Sequence, residues 1–537
     1  MAVKLAKKQK KKENTGKLVT TSFLEYLTVL WVIVMSFAIA LYMEDGYFQI
    51  GTAKYDAYAH VVVFGLPVLI IVSILYMIFA CKETGISGTA IKTLGKSLSV
   101  TDWFMLSYTV FVLLSFFGSG HIKEAFWGYS GWYMGLFSQL SFVLVYFICS
   151  RFLKDYPVVL GALCIVTFYV YVIGILHRLL IDPIGVYDNL ENHYKNMFLS
   201  TMGQASWYSS FMITVLPLGM FAYWYFENKI LRLLSGVFVF AGFMTLVSQN
   251  SDSAYFGFAA AMLVLFHVSV TKAGRMRRFF ELALLFLLAP KAMWLLLKVY
   301  PNEIMWWDTI SRILLTGAKV WIWAAVCIGM IVIFAVMEKK DRYPLKAMKM
   351  VRTAVYIIFG VLLLLCVGIL IAGAQGWLSA TMIEKLQRRP YLVWSRTWGN
   401  GRGFTWSFTA QMFAEMSWKN KMLGVGPDCY AIYAHANYNE LIRSKWEGSI
   451  LTNAHNEWLN AFVNTGCFGG VAYLGIFVSA LVRFVKKSQH RPVLLGAAAC
   501  IAAYMGHNLF CYQQVLCTPF IFVFMAIGEY QMRKKEH

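Results

Sequence analysis

Fourteen runs of mostly apolar residues, each about long enough to cross a hydrocarbon layer, recur along this chain and exclude nearly every fold but one. A spanning helix needs about 20 such residues, because the bilayer core offers the backbone no partner outside its own helix. The runs lie near 22–42, 59–80, 101–117, 133–150, 156–176, 207–226, 231–249, 254–271, 279–299, 315–337, 353–374, 458–482, 493–510 and 514–530. The run 279–299 is the least regular, since Pro290 and Lys291 interrupt it. The spacing predicts an all-α polytopic membrane protein of about 14 transmembrane helices. An even count puts both termini on one side.

Composition agrees: 59% of residues are hydrophobic and only 14% charged, which rules out a soluble globular domain and a disordered chain alike. The net charge of +21 raises the question of nucleic acid. Most of the 48 Lys and Arg residues, however, fall where alternate short loops are expected. They include the lysine-rich start of the chain, Lys272/Arg275/Arg277/Arg278, the six cations from Lys339 to Arg352, and Arg483/Lys486/Lys487/Arg491. That asymmetry is the positive-inside pattern, so the charge reports topology and predicts contact with membrane lipids, not nucleic acid. Ala38-Ile39-Ala40 resembles a signal cleavage site, but its apolar run exceeds the 7–15 or so residues of a signal core and reads as an uncleaved span. The ten cysteines show no CxxC or Cys/His ligand spacing, and no paired-carboxylate motif stands on the outer side, so no metal or cofactor is expected.

One outer segment dominates. Residues 375–457 are too rich in Trp, Tyr and Met for a flexible linker and read as a folded, helical cap. Up to Glu447 the segment carries nine cations against five acids, against the trend of the other outer loops. The planar fork of arginine matches phosphate oxygens, so Arg388, Arg389, Arg396 and Arg402 are candidates for an anion site. Arg388 and Arg389 read equally well as residues snorkelling to lipid headgroups. Arg402, flanked by Gly401 and Gly403, leads a helix-like stretch to Lys419, and a helix N-terminus itself favours anions. His455-Asn456-Glu457 sits where the cap re-enters the membrane. An imidazole there suits a general base for a hydroxyl, and Glu457 is an available carboxylate for a flattened, cationic sugar. Trp398 and Trp406 offer faces for sugar rings, while most aromatics of this chain read as core or interfacial belt.

These motifs resemble a known family. Gly401-Arg402-Gly403, Trp406, Gly424-Val425-Gly426-Pro427, His455-Asn456-Glu457-Trp458-Leu459 and Gly466 with Gly469-Gly470 together resemble the signature of the O-antigen ligase and O-antigen polymerase family. Trp127-Gly128-Tyr129 with Gly135, Gly203-Gln204-Ala205-Ser206-Trp207-Tyr208-Ser209 with Leu216-Pro217-Leu218, and Asn508-Leu509-Phe510 with Thr518-Pro519 and Gly528 extend the resemblance over about residues 100–530. It implies a GT-C-like, metal-independent membrane glycosyltransferase. The donor would be a polyprenyl-diphosphate-linked glycan and the acceptor a glycan or cell-surface molecule, on the outer face of a bacterial cytoplasmic membrane. Arginine at 402 would hold the diphosphate and His455 would assist the acceptor hydroxyl. Where family members often carry a Ser-Arg-Gly-type motif, this chain has Ser251-Asp252-Ser253, and Asp252 cannot clamp a diphosphate. Either another arginine of the large loop substitutes, or Asp252 serves otherwise, orienting an arginine or binding a sugar hydroxyl.

The chain then divides into a basic cytoplasmic tail (1–21), about eleven spans (22–374), an extracytoplasmic catalytic loop (375–457), further spans (458–530) and a second basic tail (531–537). Transfer to a surface acceptor is the first reading; polymerisation of a surface polysaccharide is the second. A flippase for lipid-linked oligosaccharide is a third, but it calls for charges in mid-span, and these are few.

Overall fold

The helices follow the apolar runs. The computed structural model describes residues 2–84, 98–188, 190–387, 390–446 and 450–534. In chain order its main helices are α1 (Ala2–Leu41), α2 (Ile50–Thr84), α3 (Val100–Gly118), α4 (Leu136–Phe152), α5 (Tyr156–Arg178), α6 (Ala205–Tyr225), α7 (Lys229–Ser248) and α8 (Ser253–Ser269). They continue as α9 (Ala273–Val299), α10 (Lys319–Lys339), α11 (Leu345–Ala374), α12 (Trp398–Glu415), α13 (Tyr430–Trp446), α14 (Glu457–Lys487), α15 (Val493–His507) and α16 (Thr518–Arg533). All fourteen apolar runs are helices, and only α12 and α13 belong to the cap. Ten of the helices are long and apolar enough to cross a membrane, and α4, α8 and α15 are shorter apolar helices. A two-residue antiparallel pairing, Phe198–Leu199 with Gly203–Gln204, is the only sheet among the described residues.

The shorter helices are central. Nearly every residue of α15 is buried, as is α16 from Thr518 to Glu529, so both are apolar all round, as a fully enclosed helix must be. Small residues let α8 and α15 approach closely. A β-carbon on Gly257 would stand 2.6 Å from the Ala503 carbonyl oxygen, and one on Gly506 would stand 3.0 Å from that of Phe256.

Successive connections meet at alternate ends of the bundle. At one end Asp102 accepts from Arg533 and from Tyr146 Oη, and Glu529 pairs with Arg483. The other end gathers the long connections and the cap. There buried cations close helix ends: Lys54 Nζ donates to Ile39 O at 2.8 Å, completing the last turn of α1. Lys291 Nζ donates to Leu315 O and Gly317 O, each at 2.9 Å, and so ends the short helix Thr309–Thr316. Lys291 therefore interrupts its apolar run because a neighbouring helix needs a donor there. By contrast α11 has no buried residue and lies at the edge of the bundle, touching α8 through Tyr356 and His267 at 2.9 Å.

Candidate active site

The cap is fastened to the bundle by backbone contacts that require glycine. Gly424 and Gly426 have φ of 83° and 118°, and the chain between them runs beside α14, with Val425 N donating to Val463 O and Gly426 N to Asn464 O at 3.1 Å each. α14 bends at Gly466, whose φ is 71°; a β-carbon there would stand 2.2 Å from the Met422 carbonyl oxygen. Immediately after, the buried carboxylate of Asp428 accepts from Tyr129 N at 2.8 Å and Met134 N at 2.9 Å, through one oxygen. Burial pushes this carboxyl up to about 7, against the pull of those two amides. The Gly128-to-Gly135 turn is thereby locked under the cap. The Gly-Val-Gly-Pro and Trp-Gly-Tyr motifs thus meet in space and are structural.

Arg402 begins the regular part of α12, after a left-handed turn at Gly399, Asn400 and Gly401. Its Nε donates to Phe510 O at 2.9 Å and its Nη1 to Gly399 O at 2.6 Å. Among the described residues no carboxylate stands within ion-pair distance of it, so its charge is held by neutral carbonyls alone. Phe510 belongs to the link between α15 and α16, and two residues on, Tyr512 stands edge-on to His455 with ring centroids 5.4 Å apart. Trp207 Nε1 donates to Tyr512 Oη at 3.1 Å, and Trp132 packs against the same ring at 4.6 Å. His455 is only partly covered and has φ of 47°, a left-handed conformation stabilised by Asn453 Oδ1, which accepts from His455 N at 2.8 Å. Burial, then the nearby charge of Arg402, lowers its pKa to about 4. The imidazole is neutral at pH 7 and able to accept a proton.

Glu457, two residues beyond His455, is placed differently. It is buried and accepts from Tyr473 Oη, from Tyr504 Oη at 2.9 Å, and from Asn508 Nδ2, while its own N–H donates to Asn508 O at 3.0 Å. These donors occupy the carboxylate and tie α14 to α15. Asn508 thereby connects Glu457 to the same link that meets Arg402 and His455.

Trp398 and Trp406 form one aromatic cluster with Trp394 and Phe510, with centroids 5.1–6.4 Å apart. Trp398 is 9% exposed and donates from Nε1 to Tyr391 O at 3.0 Å, so its ring packs on Phe510, whose carbonyl holds Arg402, and does not lie open. Trp406 Nε1 is buried without a partner. Arg396 is exposed, and its backbone carbonyl accepts from Phe404 N at 3.0 Å. Arg388 and Arg389 lie outside the described residues.

Asp252 precedes α8 and accepts from Tyr391 Oη, a residue of the cap; its other oxygen is buried without a partner. Burial raises its pKa, and burial followed by the charge of Asp252 raises that of Asp308 to about 7. Asp252 immediately precedes α8 and Asp308 the helix Thr309–Thr316, and neither sequence spacing nor a motif brings the two acids together. His507 is a histidine at similar depth whose partners no motif reveals: its Nε2 stands 3.0 Å from Ser209 Oγ, 3.3 Å from Ser253 Oγ and 3.7 Å from Cys511 Sγ. Burial pushes the Cys511 thiol up, but His507 and then Arg402 outweigh it and bring the thiol down to about 7.

The fold and this site define a class: an all-helical polytopic membrane protein in which one large loop sets an arginine and a histidine over the helix ends. Within that class, residues 307–474 match the model of a protein family described as O-antigen ligase. The matched stretch contains Arg402, the Gly-Val-Gly-Pro turn, His455 and the Gly466 bend, and it bears out the family resemblance read from the sequence. The family is one of membrane glycan transfer. No curated protein matches the chain.

Proposed function

We propose that the protein is a metal-independent glycosyltransferase of a bacterial cytoplasmic membrane, acting at the outer face. It transfers a glycan from a polyprenyl-diphosphate carrier to a hydroxyl of a cell-surface acceptor. The acceptor oxygen attacks the anomeric carbon, the bond from that carbon to the diphosphate breaks, and the hydroxyl proton passes to His455. Negative charge grows on the departing diphosphate, so a guanidinium aimed there stabilises the transition state more than the ground state.

The observation that carries this reading is the state of Arg402. It is a cation fixed by two backbone carbonyls, with no acid within ion-pair distance among the described residues, beside a histidine that its charge helps to keep unprotonated. Arrival of an anion at Arg402 removes part of that field and makes His455 more basic when a donor is bound. Glu457, occupied by its own donors, serves as a positioning residue for the link 508–512. Asp252, joined to Tyr391, holds the cap against α8. Trp398 and Trp406 hold Phe510, whose carbonyl anchors the arginine, and exposed Arg396 is assigned to the donor headgroup for its charge alone.

The test compares surface and lipid-linked glycans with and without the protein. Full-length chains stranded on the lipid carrier support transfer to an acceptor. Single repeat units on the surface support the second reading, polymerisation. Loss of surface glycan with the lipid-linked donor retained on the inner face would point to a flippase and overturn both.

A further inference from the structure

Between α9 and the helix Thr309–Thr316, at the same end of the bundle as the cap, lies a cavity of about 250 Å³ separate from the site above. Two indoles line it, Trp294 and Trp307, and Glu303, Arg312 and Thr316 supply donors and acceptors. Its walls are fixed. Asn196 Nδ2 donates to Ile304 O at 2.7 Å, Asn250 Nδ2 to Trp306 O at 3.0 Å, and Asn302 Nδ2 to Arg178 O at 2.9 Å. Asp308 N donates to Asn250 Oδ1 at 2.7 Å, and Lys291 caps the helix beneath.

Interfacial aromatic belts are the ordinary reason for tryptophan at this depth, but a belt needs rings on a convex, lipid-facing surface and asks nothing of the loop backbone. Here the rings line a concavity rimmed by groups of both charges. Apolar ring faces beside converging hydrogen-bonding groups complement a pyranose, which has C–H faces and a rim of hydroxyls. The volume falls below the roughly 300–1,000 Å³ of sites for drug-sized ligands, and suits one sugar ring. The cavity also connects to the cap: Trp307 is followed by Asp308, whose partner Asp252 takes the Tyr391 hydroxyl, and the Tyr391 carbonyl holds Trp398.

We propose that this cavity is a glycan subsite holding a sugar of the donor remote from the one that reacts. The proposal rests on the transfer reading and adds to it a preference for long donors. In the full-length protein in lipid nanodiscs, Trp307→Ala and Arg312→Ala should raise KM about three- to tenfold for a donor of many repeat units, with kcat unchanged. Both should leave a single-repeat donor unaffected. Arg312 is exposed, so its variant reports even where Trp307→Ala impairs folding. Equal effects on both donors, or none on either, would overturn the subsite. If the unaltered protein transfers neither donor, the transfer reading fails by itself. Calorimetric binding of the lipid-free oligosaccharide, released from its carrier by mild acid, then tests the cavity alone. Saturable binding lost in Arg312→Ala supports it, and no binding sinks it.

Discussion

Arg402 donates from Nε to the carbonyl of Phe510 at 2.9 Å, and that carbonyl lies two residues before the ring that meets His455. One short link between α15 and α16 therefore sets the donor-holding group and the proton acceptor relative to each other. The anchor is a backbone atom, so changes to the Phe510 side chain leave it in place, whereas changes to the arginine do not.

Arg402→Lys keeps the charge and loses both the Nε anchor and the planar fork. Charge-assisted hydrogen bonds contribute about 1.5–3 kcal/mol each, so a loss of one is about a tenfold or larger rise in donor KM. Transfer assayed per membrane-inserted molecule, across donor concentrations, checks this; a KM within twofold of the parent would count against it.

His455→Ala should lower kcat by about two to four orders of magnitude while donor binding stays near normal. The pH profile gives a second, independent readout. With the His455 pKa at about 4, kcat/KM should hold its level down to strongly acidic pH. A neighbouring cation disfavours the protonated imidazole, so Arg402→Gln raises the pKa and moves the acid limb to higher pH. An acid limb that stays put would remove the electrostatic coupling from the mechanism.

Glu457→Ala leaves two buried tyrosine hydroxyls and an amide without their acceptor, at about 1–3 kcal/mol for each group stranded. Thermal unfolding of the protein in detergent should shift down by several degrees, and activity per folded molecule should fall with it. Glu457→Gln keeps one oxygen but turns an N–H₂ toward donors, so it should be intermediate. Full stability with lost activity would instead make Glu457 a direct participant.

Asp428 gives a pH dependence whose sign follows from burial. Its folded pKa of about 7 exceeds the ordinary value of about 3.9, so the folded chain holds the proton where the unfolded chain releases it. Its contribution to stability is full below about pH 4 and is lost as the pH rises through 7. Asp428→Asn should flatten this slope, because one amide oxygen can still accept from Tyr129 N and Met134 N. Unfolding midpoints measured between pH 5 and 8 decide it; a parallel slope in the variant would exclude Asp428 as the source.

The spans were legible because apolar runs of this length have one use, and even the irregular run 279–299 is the helix α9. Helix starts were less so. The run read from 59 begins at Ile50, since Lys54 is buried within α2 by donating to carbonyls of α1, fifteen residues or so back. Arg402 and His455 could be singled out because their types and positions are unusual for an outer loop. The surroundings of Glu457 could not. Its donors come from positions 16, 47 and 51 residues away, on α14 itself, on α15 and at the start of the link after it. The meeting of Asp252 with Tyr391 spans 139 residues and depends on how the cap settles. The Gly-Val-Gly-Pro motif was readable as a turn, but its service to α14 and to the Gly128 turn became visible only with the backbone contacts.

The two ends of the cap are held very differently. Its exit is bolted through Glu457 into the most enclosed part of the bundle, whereas its entrance hangs from α11, a helix with no residue buried against the rest of the protein. Between these two ends the cap is also pinned to the start of α8 through Tyr391 and Asp252, so the arginine and the histidine stand on the side of that pin that leads into the enclosed bundle.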